Sequence, residues 1–109
     1  MNFADYQEQS KEFAAYEDES YPFIALAEEV GEFLSFAAKM ARGDNLEERF
    51  GSVAAAREAC LKEAGDVLWQ LAQCLTEFEM DMQDAAELNI KKLTDRKQRG
   101  VIRGSGDNR

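Results

Sequence analysis

Two pairs of acidic residues, each spaced three positions apart, are the residues in this chain best suited to chemistry. Six acidic pairs with this spacing occur in the sequence, so the spacing alone is not distinctive. Two of the six are set apart by the apolar segments beside them, residues 24–27 in one case and 67–69 in the other. These two pairs are Glu29 with Glu32 and Glu63 with Asp66.

Helical periodicity predicts that both pairs approach the interior of a helical protein. Glu63 falls well inside the apolar arc that includes Val67, and Asp66 lies at the edge of that arc. The other pair flanks an apolar stripe centred on Val30. Two such pairs on facing helices would bring four carboxylates together.

Carboxylates in such a place are costly unless they are paired or bound to a cation. No basic residue is well placed to pair with them, because Lys62 points to another face and Lys39 lies seven residues beyond Glu32. A cluster of carboxylate oxygens suits Mg²⁺, with Mn²⁺ as a substitute. The alternative is an acidic face exposed to solvent.

The absence of histidine narrows the chemistry further. One chain cannot build a Ser-His-Asp or Cys-His nucleophilic site, or a His-rich zinc site. The base that activates water must then be a carboxylate or the metal itself, with Glu29 and Glu32 as unranked candidates. Glu28 is either an outer acceptor for that site or a solvated side chain.

A second group of candidates lies near the C-terminal end. Asn89, Lys92 and Arg96 have the spacing of one helical face, with Lys91 beside them. A basic face opposite a metal–carboxylate cluster suits a triphosphate, because cations on both sides neutralise its oxygens. The alternative is a basic helix C-terminus that is favoured by the helix dipole.

Long stretches without helix breakers predict an all-helical chain. It contains one proline and seven glycines, and no stretch alternates as a strand would. Four helices are expected: residues 2–16, a second from Pro22 to about 42, a third from its N-cap Ser52 to about 79, and a fourth from its N-cap Asp81 to about 98. A loop is expected over 43–51. The predicted helical domain covers residues 1–99, and a flexible tail follows at 100–109.

The apolar residues predict that these helices also pack against a second copy. The core stripe centred on Val30 includes Phe23, Leu26, Ala27, Leu34, Ala37 and Ala41. The third helix is apolar over two adjoining ridges, which is more than one neighbour can cover. Gly31 and Gly65 lie mid-helix, where glycine is costly, and they indicate a close helix approach. The predicted fold is a four-helix-type bundle assembled as a homo-oligomer.

Charge and composition exclude several partners. The net charge is −9; residues 1–90 carry 20 acidic and 6 basic side chains, whereas residues 91–109 carry 2 and 7. The acidic body argues against a nucleic-acid polymer, while the basic end suits a small polyanion such as a nucleotide. No membrane span or signal peptide is evident, so we expect a cytoplasmic protein with Cys60 and Cys74 as free thiols.

Three segments in order resemble the MazG-like all-α nucleoside triphosphate pyrophosphohydrolases, in the short single-domain form of phages and bacteria. The family pattern is EExxE, then ExxD, then a segment with Asn, Lys and Arg. The matching segments are Glu28-Glu29-Val30-Gly31-Glu32, Lys62-Glu63-Ala64-Gly65-Asp66-Val67-Leu68-Trp69, and Asn89-Ile90-Lys91-Lys92-Leu93 with Arg96. The resemblance spans about residues 21–109 and includes the ending 99–109.

The resemblance implies hydrolysis of an NTP or dNTP to the monophosphate and pyrophosphate by a homodimer or homotetramer. It implies that Mg²⁺ is held by four carboxylates, those of Glu29, Glu32, Glu63 and Asp66. It also implies that Lys92 and Arg96 meet phosphates with Asn89 nearby, and Lys91 is an alternative to Lys92. If the protein is phage-encoded, its location is the host cytoplasm.

One position departs from the family pattern. Gln70 stands where some relatives carry an aromatic residue, so the resemblance assigns no residue to the nucleotide base. Two other functions stay open: a non-catalytic helical module that senses nucleotides or binds a protein, and a phosphoribosyl-ATP pyrophosphohydrolase. An intact set of four acidic residues favours the enzyme over the non-catalytic module.

Overall fold

The chain folds entirely into helices, as the sequence predicts. The computed structural model describes residues 1–109 and contains five α-helices and no strand. They are α1 (Phe3–Ser10), α2 (Tyr21–Arg42), α3 (Leu46–Phe50), α4 (Val53–Glu77) and α5 (Met82–Gln98), and a 3₁₀ turn at Lys11–Phe13 continues α1. None of these helices combines the length and apolar character needed to cross a membrane.

Local sequence signals account for several helix ends. The Ser52 hydroxyl accepts a hydrogen bond from the backbone N–H of Ala55 at 3.0 Å, so the predicted N-cap of α4 is correct. Pro22 lies in the first turn of α2, where its missing N–H costs nothing. Gly43 ends α2 with a φ of 98°, a left-handed conformation that glycine adopts readily.

The start of α5 is fixed by a distant residue. Asp81 is at the N-cap position, as predicted, but its side chain makes no capping hydrogen bond. The backbone N–H of Met82 instead donates to Oε1 of Gln7 on α1, at 2.7 Å. A long-range contact therefore replaces the local cap.

Two expected segments differ from the structure. The first helix ends at Ser10, with the 3₁₀ turn to Phe13, rather than at residue 16. The backbone carbonyl of Ser10 accepts a hydrogen bond from Trp69 Nε1 at 3.0 Å, which draws it away from the helical ladder. The expected loop at 43–51 contains α3, because the Asn45 side chain accepts from the N–H of Glu48 at 3.1 Å and caps a short helix.

Helices α2 and α4 form an antiparallel hairpin, the most extensive helix pairing in the chain. Phe23, near the start of α2, packs on Phe78 after the end of α4, with ring centroids 4.9 Å apart. At the other end of the hairpin, Phe36 stacks on Phe50 at 5.8 Å. These aromatic pairs fix the register in which the acidic residues of the two helices meet.

The face of α2 that packs on α4 is not the predicted one. The stripe centred on Val30 is largely exposed in the single chain; Leu34, for example, is 53% exposed. The inward face is centred on Glu29, with Ala25 buried and Phe33 half-buried within about 40° of it on a helical wheel. The prediction of the core stripe was wrong for the single chain because α2 is apolar on two adjoining faces.

Helix α1 is attached to α4 by buried polar side chains. Gln7 Nε2 donates to Thr76 Oγ1 at 3.1 Å, and Gln73 Nε2 donates to Ser10 Oγ at 2.8 Å. Gln7, Gln73 and Ser10 are all buried. Such matched contacts specify one position for α1, since an unpaired buried amide is costly.

The single chain is more open than a typical domain of its length. Its radius of gyration is 17.1 Å, whereas about 13 Å is usual for this number of residues. Large apolar side chains remain exposed, among them Leu61 at 69% and Ile90 at 64%. Gly31 and Gly65 have no neighbouring atoms where a Cβ would lie, so the expected close helix approach does not occur within one chain.

Candidate metal centre and basic face

Three of the four predicted carboxylates converge between α2 and α4. Glu29 and Glu32 extend from α2 and Glu63 extends from α4, and one carboxylate oxygen of each lies within 4.8 Å of the others. Asp66 lies one turn after Glu63 and is not one of these three residues. It is close enough, however, for its charge to raise the pKa values of Glu29 and Glu63. The hairpin thus brings both acidic pairs to one place.

Two oxygens in this cluster are buried without a partner. They are Oε2 of Glu29 and Oε2 of Glu63, and neither accepts a hydrogen bond. A buried oxygen with unused lone pairs is costly in a folded protein. Binding to a cation would satisfy both oxygens.

Burial and like charge raise two pKa values in the cluster. Burial is the largest cause for Glu29, followed by the charges of Glu32 and Asp66, and its pKa lies above the ordinary value of 4.5. The pKa of Glu63 is raised in the same way, by burial and then by the charges of Glu32 and Asp66. The folded chain therefore concentrates negative charge in this cluster.

One basic residue near the cluster was missed by the sequence reasoning. The charge of Lys39 lowers the pKa of Glu63, although burial outweighs it. Lys39 lies seven residues beyond Glu32 along α2, but the antiparallel hairpin brings it near Glu63 on α4. Lys62 points away as expected, and its Nζ lies 3.4 Å from the exposed Glu58.

The oxygen set fits a small divalent cation. Oxygens on opposite sides of one Mg²⁺ are about 4.2 Å apart, given metal–oxygen distances of about 2.1 Å. Adjacent oxygens around the ion are about 3.0 Å apart. The three carboxylate oxygens lie within 4.8 Å of one another, so they are close enough to be candidates for one ion. The donors are all carboxylates, which Mg²⁺ and Mn²⁺ prefer.

The predicted phosphate-binding residues gather on α5. Asn89, Lys91 and Lys92 line an open cavity of about 580 Å³, together with Ala85, Leu88 and Asp95. None of the four predicted metal ligands lines this cavity. Arg96 is outside it and is buried.

Arg96 and Lys92 meet at one carboxylate that the sequence reasoning did not single out. Asp107 Oδ1 accepts from Arg96 Nη2 at 2.8 Å and from Lys92 Nζ at 3.1 Å. These hydrogen bonds and charges hold the pKa of Asp107 below its usual value. The segment expected to form a loose tail therefore contacts the basic face.

Helix α1 lies near Asp66 of the acidic cluster and also packs against the start of α5. The pKa of Tyr6 on α1 is raised by burial and by the charge of Asp66. On its other side, α1 packs against α5, and the N–H of Phe3 donates to Gln83 Oε1 at 3.2 Å.

Comparison with known proteins gives a family model that matches most of the sequence. The sequence model of the MazG nucleotide pyrophosphohydrolase domain matches residues 20–101. This range contains every predicted site residue and leaves α1 outside. The Gene 37 protein of Mycobacterium phage L5 is 43% identical over 53 residues, which is 49% of this chain and 46% of the phage protein. The match therefore spans less than half of that relative, and no solved structure gives a significant match.

Proposed function

Because the chain belongs to the MazG nucleotide pyrophosphohydrolase family, we propose that it hydrolyses a nucleoside triphosphate to the monophosphate and pyrophosphate. The substrate is an NTP or a dNTP, and the cofactor is Mg²⁺, which Mn²⁺ can replace. The reaction takes place in the cytoplasm of the cell, or of the host for a phage protein, where Cys60 and Cys74 stay as thiols.

The observation that supports this proposal best is the pair of unpartnered oxygens in the acidic cluster. Glu29 and Glu63 each hold one buried oxygen without a hydrogen bond, on helices that face each other. A cluster kept only for folding would gain stability from apolar residues at these two positions. We assign Glu29, Glu32, Glu63 and Asp66 as the ligands of the metal.

The carboxylates of α2 also have a role in proton transfer. When bound, the metal supplies positive charge for phosphate oxygens and makes water more acidic. Glu32 is exposed, so a water molecule can reach its carboxylate, whereas Glu29 is half-buried and its Oε2 is fully buried. One of these two groups accepts the proton of the attacking water, and Glu28 supports it from the outer side.

The basic face of α5 binds the phosphates away from the metal. Lys92 and Arg96 contact phosphate oxygens, with Asn89 and Lys91 as further donors in the adjoining cavity. Charge on both sides of the triphosphate then stabilises pyrophosphate as the leaving group, and the α–β bond breaks.

The products of the reaction test the proposal directly. With Mg²⁺ and a set of the common NTPs and dNTPs, phosphorus NMR should show a monophosphate and pyrophosphate in equal amounts from at least one substrate. Orthophosphate with a diphosphate as the first products would contradict the proposal. Turnover of phosphoribosyl-ATP with no turnover of NTPs would reassign the substrate instead.

We also propose that the working form is a homodimer or homotetramer. The Val30 stripe, Leu61 and Ile90 leave large apolar side chains exposed on three helices of the single chain, and exposed apolar patches often mark an interface between protein chains. Light scattering at micromolar concentration should give at least twice the 12.3 kDa of one chain. A fully active species of 12.3 kDa would contradict this assignment.

A further inference from the structure

The C-terminal segment, residues 100–109, folds back on itself as a closed loop. The Arg109 guanidinium donates to the backbone carbonyls of Val101 at 3.0 Å, Ile102 at 3.2 Å and Gly106 at 2.6 Å. Arg99, just before the loop, also donates to the backbone carbonyl of Arg109. We call residues 100–109 the C-terminal loop.

The C-terminal loop places a carboxylate on two cations of α5. Besides the contacts of Asp107 Oδ1 with Arg96 at 2.8 Å and Lys92 at 3.1 Å, the backbone carbonyl of Gly106 accepts from Arg96 Nη2 at 3.4 Å. One negatively charged group thus occupies the point where both cations meet.

The two sides of this contact differ greatly in exposure. The Arg96 side chain is 5% exposed, whereas the Asp107 side chain is 80% exposed. A buried guanidinium needs an anionic partner, because leaving it unpaired is costly. An exposed carboxylate can return to water with little loss. Arg96 is the one buried residue between positions 91 and 100, and its partners Gly106 and Asp107 belong to the loop. Once the loop is displaced, the guanidinium can meet another anion.

The open surface of α5 beside this contact offers further donors for another anion. The cavity there adjoins the contact at Lys92, has a volume of about 580 Å³, and adds Asn89 and Lys91 as donors. A single carboxylate uses only part of this donor set. A polyphosphate carries more charge and more acceptor oxygens, so it can use several of these donors together.

We propose that Lys92 and Arg96 form a polyphosphate-binding site which Asp107 occupies in the unliganded chain, and that a polyphosphate displaces the C-terminal loop when it binds. The inference rests on the proposed function only for the source of the ligand, which is the phosphate chain of the nucleotide or the released pyrophosphate. The loop acts as an internal competitor, since the site is available only in the fraction of molecules whose loop is displaced.

Removing the competing charge should tighten binding. We expect Asp107→Asn to bind inorganic pyrophosphate about tenfold more tightly than the unchanged chain, the size expected from weakening charge-assisted hydrogen bonds. Calorimetry in the presence of EDTA measures this affinity without a contribution from metal at the acidic cluster. Equal or weaker binding by Asp107→Asn would overturn the proposal, since Asp107 would then organise the site rather than compete for it.

Glu58→Gln is the control. It removes one negative charge from an exposed residue of α4, where Glu58 pairs with Lys62 at 3.4 Å, and it leaves the contact of Asp107 intact. We expect less than a twofold change in pyrophosphate affinity for this variant. If both variants gained the same affinity for pyrophosphate, the gain would come from the change in net charge and not from the contact of Asp107. That result would overturn the proposal.

Proteolysis reports displacement of the loop itself. Pyrophosphate should accelerate tryptic cleavage after Arg103. Mass spectrometry detects this cleavage as the loss of residues 104–109. A non-hydrolysable dNTP analogue in a parallel sample identifies which polyphosphate displaces the loop. If both ligands accelerate cleavage, the site binds the phosphate chain of the substrate. If only pyrophosphate accelerates cleavage, the site binds the product. Acceleration by neither overturns the proposal. These readouts need no turnover, so they are independent of whether the chain hydrolyses nucleotides.

Discussion

Glu63→Gln is expected to lower the rate of nucleotide hydrolysis by about a hundredfold to a thousandfold, the loss typical when a group that organises transition-state charge is removed. Glu63 provides one of the three converging oxygens and one of the two buried oxygens without a partner. The amide has nearly the same shape, but it carries no negative charge for a cation. Steady-state rates of pyrophosphate release with excess Mg²⁺ measure the effect.

The control for this substitution lies on the same helix. Glu58→Gln changes an exposed glutamate that pairs only with Lys62, so its rate should match that of the unchanged chain. Circular dichroism of both variants checks that the helices are retained. Near-normal turnover by a folded Glu63→Gln variant would remove Glu63 from the proposed metal site.

Adding Mg²⁺ is expected to raise the melting temperature by roughly 10 °C or more when the ion is near a hundred times its dissociation constant. An ion that binds only the folded state stabilises it by about 2.7 kcal/mol at that ratio, and each kcal/mol shifts the midpoint of a small domain by several degrees. Thermal melts at one fixed protein concentration provide the measurement. Glu63→Gln should lose most of this response, whereas Glu58→Gln should keep it.

Without metal, stability should depend on pH in an unusual direction. Because the pKa values of Glu29 and Glu63 are raised on folding, protonation of these groups favours the folded state. This contribution is fully present below about pH 4.5 and is lost as the pH rises through the raised pKa values. The chain in EDTA should therefore melt at a higher temperature at about pH 5 than at pH 7.

The three aspartates with shifted pKa values add nothing to this pH dependence. The aspartates with shifted pKa values, Asp18, Asp44 and Asp107, are all shifted below 3.8, so their contributions change only at lower pH. The chain also lacks histidine. Saturating Mg²⁺ should abolish this rise in melting temperature at lower pH, because the ion binds the charged form of the carboxylates. A melting temperature that falls between about pH 7 and pH 5 in EDTA would contradict this account.

Local signals in the sequence were sufficient for most of the fold. The cap at Ser52, the proline in the first turn of α2 and the spacing of apolar residues predict α2, α4 and α5 to within a few residues, because short-range interactions determine them. Helix α3 escaped prediction because a five-residue helix has too little periodicity to detect. The early end of α1 depends on a hydrogen bond from Trp69, which is 59 residues away.

The acidic residues of the site could be predicted from the sequence, but the packing face of α2 and the positions of Lys39 and Asp107 could not. Glu29, Glu32 and Glu63 do converge, but the choice between the two apolar faces of α2 required knowledge of where α4 packs. The approach of Lys39 to Glu63 follows only from the antiparallel register. Likewise, nothing in the types or spacing of residues near Asp107 indicates that it bonds to Lys92 and Arg96; a chain reversal produces that contact.

Glu29 lies at the centre of the inward face of α2, where an apolar residue would stabilise the hairpin more than a carboxylate does. Leucine at Glu29 and Glu63 would fill the hairpin interface with apolar volume and relieve the repulsion there, so the double variant should fold more stably than the natural chain. A selection for heat resistance alone would favour such replacements and would yield an inactive helical scaffold. Thermostabilised variants of this protein should therefore be selected for turnover at the same time as for stability.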